Sequence, residues 1–326
     1  MAGEEATAER LTEGTYVPTR TLDITVLMGG PSSEREVSFV SGRAVADALA
    51  HCGHKVTAAD ISPEDTSALD REGLETVFIA LHGPFGEDGQ VQLLCEDRGL
   101  AYVGSGPVAS KLAMDKDASK RLFRAAALET PPWAVIEQGT PPDRLAGLLA
   151  RTPPPCVLKP IDGGSSVDIT IARDEPARDE ALAGLLAAYG RAMIEEFIPG
   201  REMTVSILAE ESLPLVEIRP AREFYDYYAK YEDDATEYIV APDVPPGVAD
   251  RLASDALKAH QALGCRDFSR VDFMLTDDGR PHVLEVNTIP GFTSHSLLPK
   301  AAAAAGVSFE RLCDRLVSLA LERHRR

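Results

Sequence analysis

The chain has no CxxC pair and no finger-like spacing among its five cysteines, Cys52, Cys95, Cys156, Cys265 and Cys313. An odd, scattered set predicts reduced thiols in a cytoplasmic protein rather than a disulfide framework or a zinc site. Packing is the expected role even of Cys156 and Cys265, which lie beside apparent active-site segments. No apolar run approaches the length of a membrane span, and the N-terminus lacks the core of a signal peptide. Residues 1–21, polar and Glu-rich, are expected to form a loose arm. There is no basic stripe either: 33 basic residues against 52 acidic ones leave a net charge of −19, which argues against a general nucleic-acid binder. Internal repeats, a Walker loop and a dinucleotide fingerprint are also missing. Gly163-Gly164-Ser165-Ser166 lacks the Gly-Lys-Ser/Thr order, and Gly29-Gly30-Pro31 lacks a third glycine at fixed spacing. What remains, at 326 residues, 44% hydrophobic and 26% charged, is an ordinary globular chain of two or three domains.

Strand and helix signals alternate at the start of the chain. Leu22–Met28 reads as a strand ending at Gly29-Gly30, and Val37–Leu49 as a helix. Val56–Ala58 and Val77–Leu81 read as strands, the second ending at His82-Gly83. This alternation predicts a parallel sheet with working loops at the strands' C-terminal ends. Lys111–Ala127 reads as one basic helix, Cys156–Lys159 as a strand, Glu180–Tyr189 as a helix stopping at Gly190, and Ala192–Ile198 as a strand. Met203–Leu208 and Leu215–Arg219 look like sheet in a new domain. Arg222–Val240 has few regular signals, five tyrosines and many charges, and a loop that long is functional or mobile. Pro245–Gly264 and Phe309–His324 read as helices, with Ala301–Ala305 as a further helical piece.

Asp278-Gly279 carries the strongest site signal. Asp-Gly is a two-residue hairpin signature. If it is the turn, facing residue numbers sum to 557, so Asp272 lies opposite Glu285 and Arg270 opposite Asn287. All four side chains then share one face of the ladder. Two carboxylates directly opposite destabilise a sheet unless a positive group sits between them, and a hard, oxygen-loving cation such as Mg²⁺ suits the place. Lys159 ends a strand just before Gly163-Gly164-Ser165-Ser166, whose backbone N–H groups and hydroxyls suit phosphate. Glu195-Glu196-Phe197-Ile198 could bind an adenine by carboxylate, backbone edge and apolar faces. Asn287–Leu297, rich in Gly, Thr and Ser, could grip a carboxylate. Each has a plainer reading as a half-buried strand, a capping turn or a solvent-facing hairpin. His295 is assigned no role.

Nine segments in register carry a resemblance. They are Gly29–Ser38, His82–Gly89, Met114-Asp115-Lys116, Gly164–Val167, Gly200–Val205, Phe224–Tyr227, Ala229-Lys230-Tyr231, Ser269–Asp272 and Glu285–Asn287 through Leu297. Together they resemble the D-alanine–D-alanine ligases, ATP-grasp enzymes of peptidoglycan synthesis, over about residues 22 to 320. The resemblance implies an α/β, three-domain ATP-grasp fold: an arm over 1–21, a Rossmann-like substrate domain over 22–113, a small ATP-grasp domain over 114–202 and a C-terminal domain over 203–326. ATP is implied between the second and third, at Lys116, Lys159, Glu195, Ile198 and Glu202. Lys230 is implied on a lid loop, 222–240, that keeps an acyl phosphate dry. Two Mg²⁺ (or Mn²⁺) ions are implied at Asp272, Glu285 and Asn287, in agreement with the hairpin geometry. Glu34 is expected to bind the ammonium of a first D-alanine in a trio with Ser165 and Tyr231, with His82 and Glu87 in the same substrate pocket. Ser296 and Leu297 would hold the second substrate's carboxylate. Arg270 and the Gly291 N–H would stabilise the oxyanion, a donor worth about 3 kcal/mol. A homodimer is expected by resemblance, with no nucleic-acid or membrane partner. Tyr231 favours D-alanine as acceptor; D-serine, D-lactate or another amino acid is the alternative, and a non-catalytic nucleotide-binding module is a more distant one. Two residues depart from the family's usual glycines: Leu93, expected to alter packing at a helix start, and Asp168, expected to sit near the phosphate loop or to point outward.

Overall fold

The computed structural model describes residues 20–164, 167–220, 236–293 and 295–325. Strand β1 (Asp23–Met28), helix α1 (Arg35–His51), β2 (Lys55–Asp60), β3 (Thr76–Ile79), helix α2 (Gln90–Asp97) and β4 (Ala101–Tyr102) build a parallel sheet in the order β2-β1-β3-β4. The interiors of β1 and β3 are buried throughout, as strands covered by helices on both faces must be. Gly42 lets α1 lie close on β1: a Cβ there would sit 2.4 Å from the Met28 Cβ.

The single helix expected over Lys111–Ala127 is two, α3 (Pro107–Met114) and α4 (Lys116–Ala125). Asp115 stands between them in extended backbone. Its carboxylate accepts the Asp117 and Ala118 N–H groups at 3.0 and 2.9 Å and so caps α4.

A second, antiparallel sheet follows in the order β5-β8-β6-β7. It comprises β5 (Trp133–Glu137), helix α5 (Pro142–Arg151), β6 (Cys156–Lys159), β7 (Thr170–Ala172), helix α6 (Glu175–Tyr189) and β8 (Arg191–Glu196). α6 stops at Gly190, at φ +71, as expected. β8 ends at Glu196, so Phe197 and Ile198 lie just beyond the strand expected to hold them.

The third sheet has the order β12-β11-β9-β13-β14, with β10 (Glu211–Ser212) paired to β9. Its strands are β9 (Arg201–Leu208), β11 (Val216–Arg219), β12 (Glu237–Val240), β13 (Phe268–Leu275) and β14 (Pro281–Asn287), and α7 (Pro246–Ala262) packs on it. β9 crosses the expected division between 202 and 203. β12 occupies the last residues of the segment that reads as a loop; residues 222–235 of that segment lie outside the described ones, as does most of the N-terminal arm. Helix α8 (Leu297–Ala304) packs on β9 and β12 of the third sheet, and α9 (Phe309–His324) returns to β3, β4 and α1 of the first. Among the described residues no helix is long and apolar enough to cross a membrane.

One buried ring sets the relation between the first and third sheets. Phe292 stands edge-on to Phe78 of β3 and to Phe268 of β13, each centroid 5.4 Å away. The loop that follows β14 is thereby clamped between the two sheets, at the C-terminal end of β3 where working loops were expected.

Candidate active site

At the site, β13 and β14 pair as the turn signal predicts, Arg270 opposite Asn287 and Asp272 opposite Glu285. The route differs. Asp278-Gly279 is not a two-residue turn: Thr276 N–H donates to the Arg280 carbonyl at 3.1 Å and Gly279 takes φ +78, giving a three-residue loop. Leu275 therefore faces Pro281, one residue out of the expected sum. A bulge beside Asp272, with Leu284 as the extra residue, restores it.

The Asp272 carboxylate accepts four hydrogen bonds from protein donors. Arg270 grips it with Nε at 2.8 Å and Nη2 at 2.7 Å, while the Thr204 hydroxyl and the Asn287 amide each donate at 2.8 Å. Across from it, Glu285 Oε2 lies 3.4 Å from Lys116 Nζ. Lys116, buried at the start of α4, also donates to the Gly163 carbonyl at 2.7 Å, which ties the expected phosphate loop to the hairpin. Among the described residues no three or more His, Cys, Asp or Glu side chains converge as a complete metal cage. Two carboxylates and an amide oxygen are a hard but partial donor set, which suits Mg²⁺ or Mn²⁺ when substrate phosphates and water complete the shell.

A cavity of about 440 Å³ opens between the second and third sheets. Lys159, Glu195, Ile198, Glu202, Asp272 and Glu285 all line it, with Val157, Ile171 and Met274 among its apolar walls. Lys159, at the end of β6, forms an ion pair with Glu195 Oε1 from the adjacent strand β8. A second ammonium, Lys120 on α4, lies 2.9 Å from Glu195 Oε2. Burial would push the Glu195 carboxyl up, yet the two lysines hold it below the usual carboxylate range. Burial pushes Lys120 down to about 8, with Glu195 opposing. On the far wall, buried Glu217 is held by Arg201 and by Arg219, and the Arg201 contact keeps its carboxyl low.

The other half of the site forms where β1 and β3 end. Glu34, buried ahead of α1, comes close to Gly83: a Cβ on Gly83, at φ +76, would stand 2.6 Å from Glu34 Oε2. A Cβ on Gly164 would lie 3.5 Å from the same oxygen and 4.0 Å from Glu87 Oε2. Glu34, Glu87 and the Gly164 loop thus converge. Glu87 accepts the Gly83 N–H at 2.7 Å, and burial, reinforced by the Glu34 charge, raises its carboxyl well above the ordinary value. His82 has both ring nitrogens engaged within the chain. Nδ1–H donates to the Ile289 carbonyl at 3.1 Å, and the Ser41 hydroxyl lies 2.9 Å from Nε2. Burial lowers it to about 4, with Arg270 a lesser cause.

The Phe292 loop supplies the remaining residues. A Cβ on Gly291 would stand 2.9 Å from Ser296 Oγ, so only glycine passes there without displacement. Ser296 Oγ accepts the Thr293 N–H at 3.1 Å and lies 2.9 Å from the Thr293 hydroxyl, and buried Leu297 opens α8. Ser165, Lys230, Tyr231 and Ser294 lie outside the described residues. Of the departures, Leu93 is exposed on α2, and Asp168 is exposed at φ +55, accepting the Tyr189 hydroxyl at 2.5 Å. A positive φ is why glycine suits that position.

Sequence reasoning missed Lys120, Thr130, Thr204 and Glu217. Lys120 had one available signal: it follows Lys116 by a helical turn, which places both ammoniums on one face of α4.

The family model described as "D-ala D-ala ligase C-terminus" matches residues 122–318, and that described as "D-ala D-ala ligase N-terminus" matches residues 63–105. The D-alanine–D-alanine ligase of Syntrophotalea carbinolica is 44% identical over 298 residues, covering 90% of this chain and 95% of its own. That of Gloeobacter violaceus is 44% identical over 300 residues, covering 92% and 99%. The crystal structure of the Bacillus anthracis D-alanine–D-alanine ligase complexed with ATP superposes with a TM-score of 0.82 at 34% identity, covering 94% of this chain and 99% of that one. The VanG D-Ala:D-Ser ligase of Enterococcus faecalis gives 0.80 at 26% identity, covering 92% and 100%.

Proposed function

The chain belongs to the D-alanine–D-alanine ligase family, and on that premise we propose that it joins two D-alanines at the expense of ATP, making D-alanyl-D-alanine for peptidoglycan precursors. The observation that carries the reading is the meeting of Lys159, Glu195, Glu202, Asp272 and Glu285 on one cavity of about 440 Å³, beside the Arg270–Asp272 pair.

ATP occupies this cavity with its base toward Glu195 and Ile198 and its ribose toward Glu202. Lys116 and Lys159 face the phosphates, joined by Lys230. Asp272, Glu285 and Asn287 would hold two Mg²⁺ or Mn²⁺ ions, which neutralise charge on the phosphates and align them. Glu34, with Glu87 beside it, receives the ammonium of the first D-alanine. Ser165 and Tyr231 complete this pocket, and neutral His82 fixes the strand end and the Ile289 loop around it. The carboxylate of that D-alanine attacks the γ-phosphorus, the bond to ADP breaks, and an acyl phosphate forms. The second D-alanine, its carboxylate at Ser296 and Leu297, attacks the acyl carbon through its amino group. The oxyanion is received by Arg270 and the Gly291 N–H, and phosphate departs as the amide forms.

The same reading assigns residues 22–113, 114–202 and 203–326 to three domains and includes a homodimer. All five cysteines are free and buried, which supports a cytoplasmic setting. The test is phosphate release from ATP and Mg²⁺ with D-alanine alone, then with D-serine or D-lactate beside it, products read by mass spectrometry. D-alanyl-D-alanine as the main product supports the reading. A mixed product alone would move the acceptor assignment, and ATP binding without turnover on any pair would overturn catalysis.

A further inference from the structure

The Lys120 ammonium is completely buried: it donates to Thr130 Oγ1 at 2.7 Å and to the Pro131 carbonyl at 3.2 Å, and it lies 2.9 Å from Glu195 Oε2 as an ion pair. Thr130 is itself fixed, donating to the Val283 carbonyl of β14 at 2.7 Å. The Trp133 ring stands 5.3 Å from the same ammonium. Three oxygens and an aromatic ring close around the ammonium, which holds it in place. Lys159 is placed differently. It shares the Glu195 carboxylate from the opposite oxygen, but it lines the cavity. Two ammoniums on one carboxylate leave this cluster with a surplus positive charge, and a buried surplus charge needs a partner from outside.

We propose that Lys120 is a positioning residue for the nucleotide site, the fixed cation that keeps the Glu195 carboxylate satisfied while Lys159 moves from it to the phosphates. The inference rests on the reading of the cavity as the ATP site. With Lys120 in place, transfer of Lys159 to a phosphate leaves Glu195 paired, and the surplus charge is what attracts the phosphate. Without it, Lys159 is the carboxylate's sole cation, and its departure strands a buried charge. A merely structural Lys120 would act the other way, through the fold and not through the phosphates.

The test is Lys120→Met, with ATP and adenosine binding measured by calorimetry in the presence of Mg²⁺, alongside the melting temperature and steady-state kinetics. ATP affinity should fall about tenfold while adenosine affinity holds, since adenosine has no phosphate to draw Lys159 away. The KM for ATP should rise by a like factor, with the KM for D-alanine unmoved. Added to Glu195→Gln, Lys120→Met should cost much less ATP affinity than it costs the wild type, because Lys159 is no longer held by a carboxylate; an equal cost in both backgrounds would overturn the proposal. Equal losses for ATP and adenosine, or a lower melting temperature with unchanged ATP affinity, would overturn the proposal. If Lys120→Met yields no folded protein, Thr130→Val removes one of the two hydrogen-bond acceptors of the ammonium at constant shape. An ATP-to-adenosine ratio lowered a few-fold then supports the role, and an unchanged ratio refutes it. Wild-type protein that binds no ATP would instead refute the nucleotide reading beneath it.

Discussion

Arg270 holds both oxygens of Asp272, two residues along the same strand, at 2.8 and 2.7 Å. The proposed oxyanion donor is therefore locked to a proposed metal ligand, and its aim depends on that lock. Arg270→Ala should lower kcat by about 10²- to 10³-fold, as loss of one oxyanion donor does elsewhere. The Mg²⁺ half-saturation should not rise, because Asp272 loses a competing cation. Arg270→Lys should recover little, since an ammonium cannot reproduce the two-pronged grip. Phosphate release titrated against Mg²⁺ reads all three outcomes, and a raised Mg²⁺ requirement with normal kcat would make Arg270 a metal organiser instead.

Glu285 faces Asp272 directly and touches Lys116. Glu285→Gln keeps the shape and removes one anion from the pair. Its Mg²⁺ half-saturation should rise by at least the ~10–100-fold that outer-shell partners of a metal contribute. Activity of the wild type should vanish with a chelator and return with Mg²⁺ or Mn²⁺. Retained activity in the chelator would remove the metals from the proposal.

The register that brings Asp272 and Glu285 together was legible from Asp278-Gly279, though for an incomplete reason. A one-residue error at the turn was cancelled by a one-residue bulge at Leu284. Alternation cannot reveal a bulge, because the extra residue looks like any other apolar one. The Asp115 break between α3 and α4 was hidden for a related reason: a capping aspartate and a solvated aspartate are the same letter. Lys120 was hidden by the rule that lysines are solvated, which burial beside Glu195 overrides. Several of the residues proposed to carry the chemistry, among them Lys159, Glu34 and Gly291, were readable because they stand at or after strand ends or lie in glycine-containing turns, where local sequence dictates local geometry.

Glycine at position 83 illustrates that. Gly83→Ala would meet Glu34 Oε2 at 2.6 Å and Ser32 Oγ at 3.0 Å, in a backbone at φ +76 that side chains disfavour. The clash falls on the carboxylate proposed to hold the first ammonium. The KM for D-alanine should rise more than the KM for ATP, and stability should fall by about 1 to 3 kcal/mol. Equal changes in both KM values would separate Glu34 from the substrate.

His82 and Glu87 should give stability a maximum at mildly acidic pH. His82 titrates near 4 in the fold against 6.5 in its absence, so the unfolded chain binds the extra proton between those values. Its contribution, about 3 kcal/mol, is complete above 6.5 and fades as pH falls toward 4. Glu87 runs the opposite way. Its carboxyl is raised in the fold, so the folded chain holds the extra proton, and stability falls as pH climbs from 4.5 through the folded value. His82→Gln should flatten the acid side of a urea-unfolding profile, and Glu87→Gln the alkaline side. The melting-temperature advantage of Glu87→Gln should therefore grow from pH 5 to pH 8. Added D-alanine should narrow it, because its ammonium supplies the counter-charge that the wild-type pocket needs and the glutamine does not. A constant offset at every pH would mean that Glu87 gains no proton on folding, and that the fold does not raise its carboxyl.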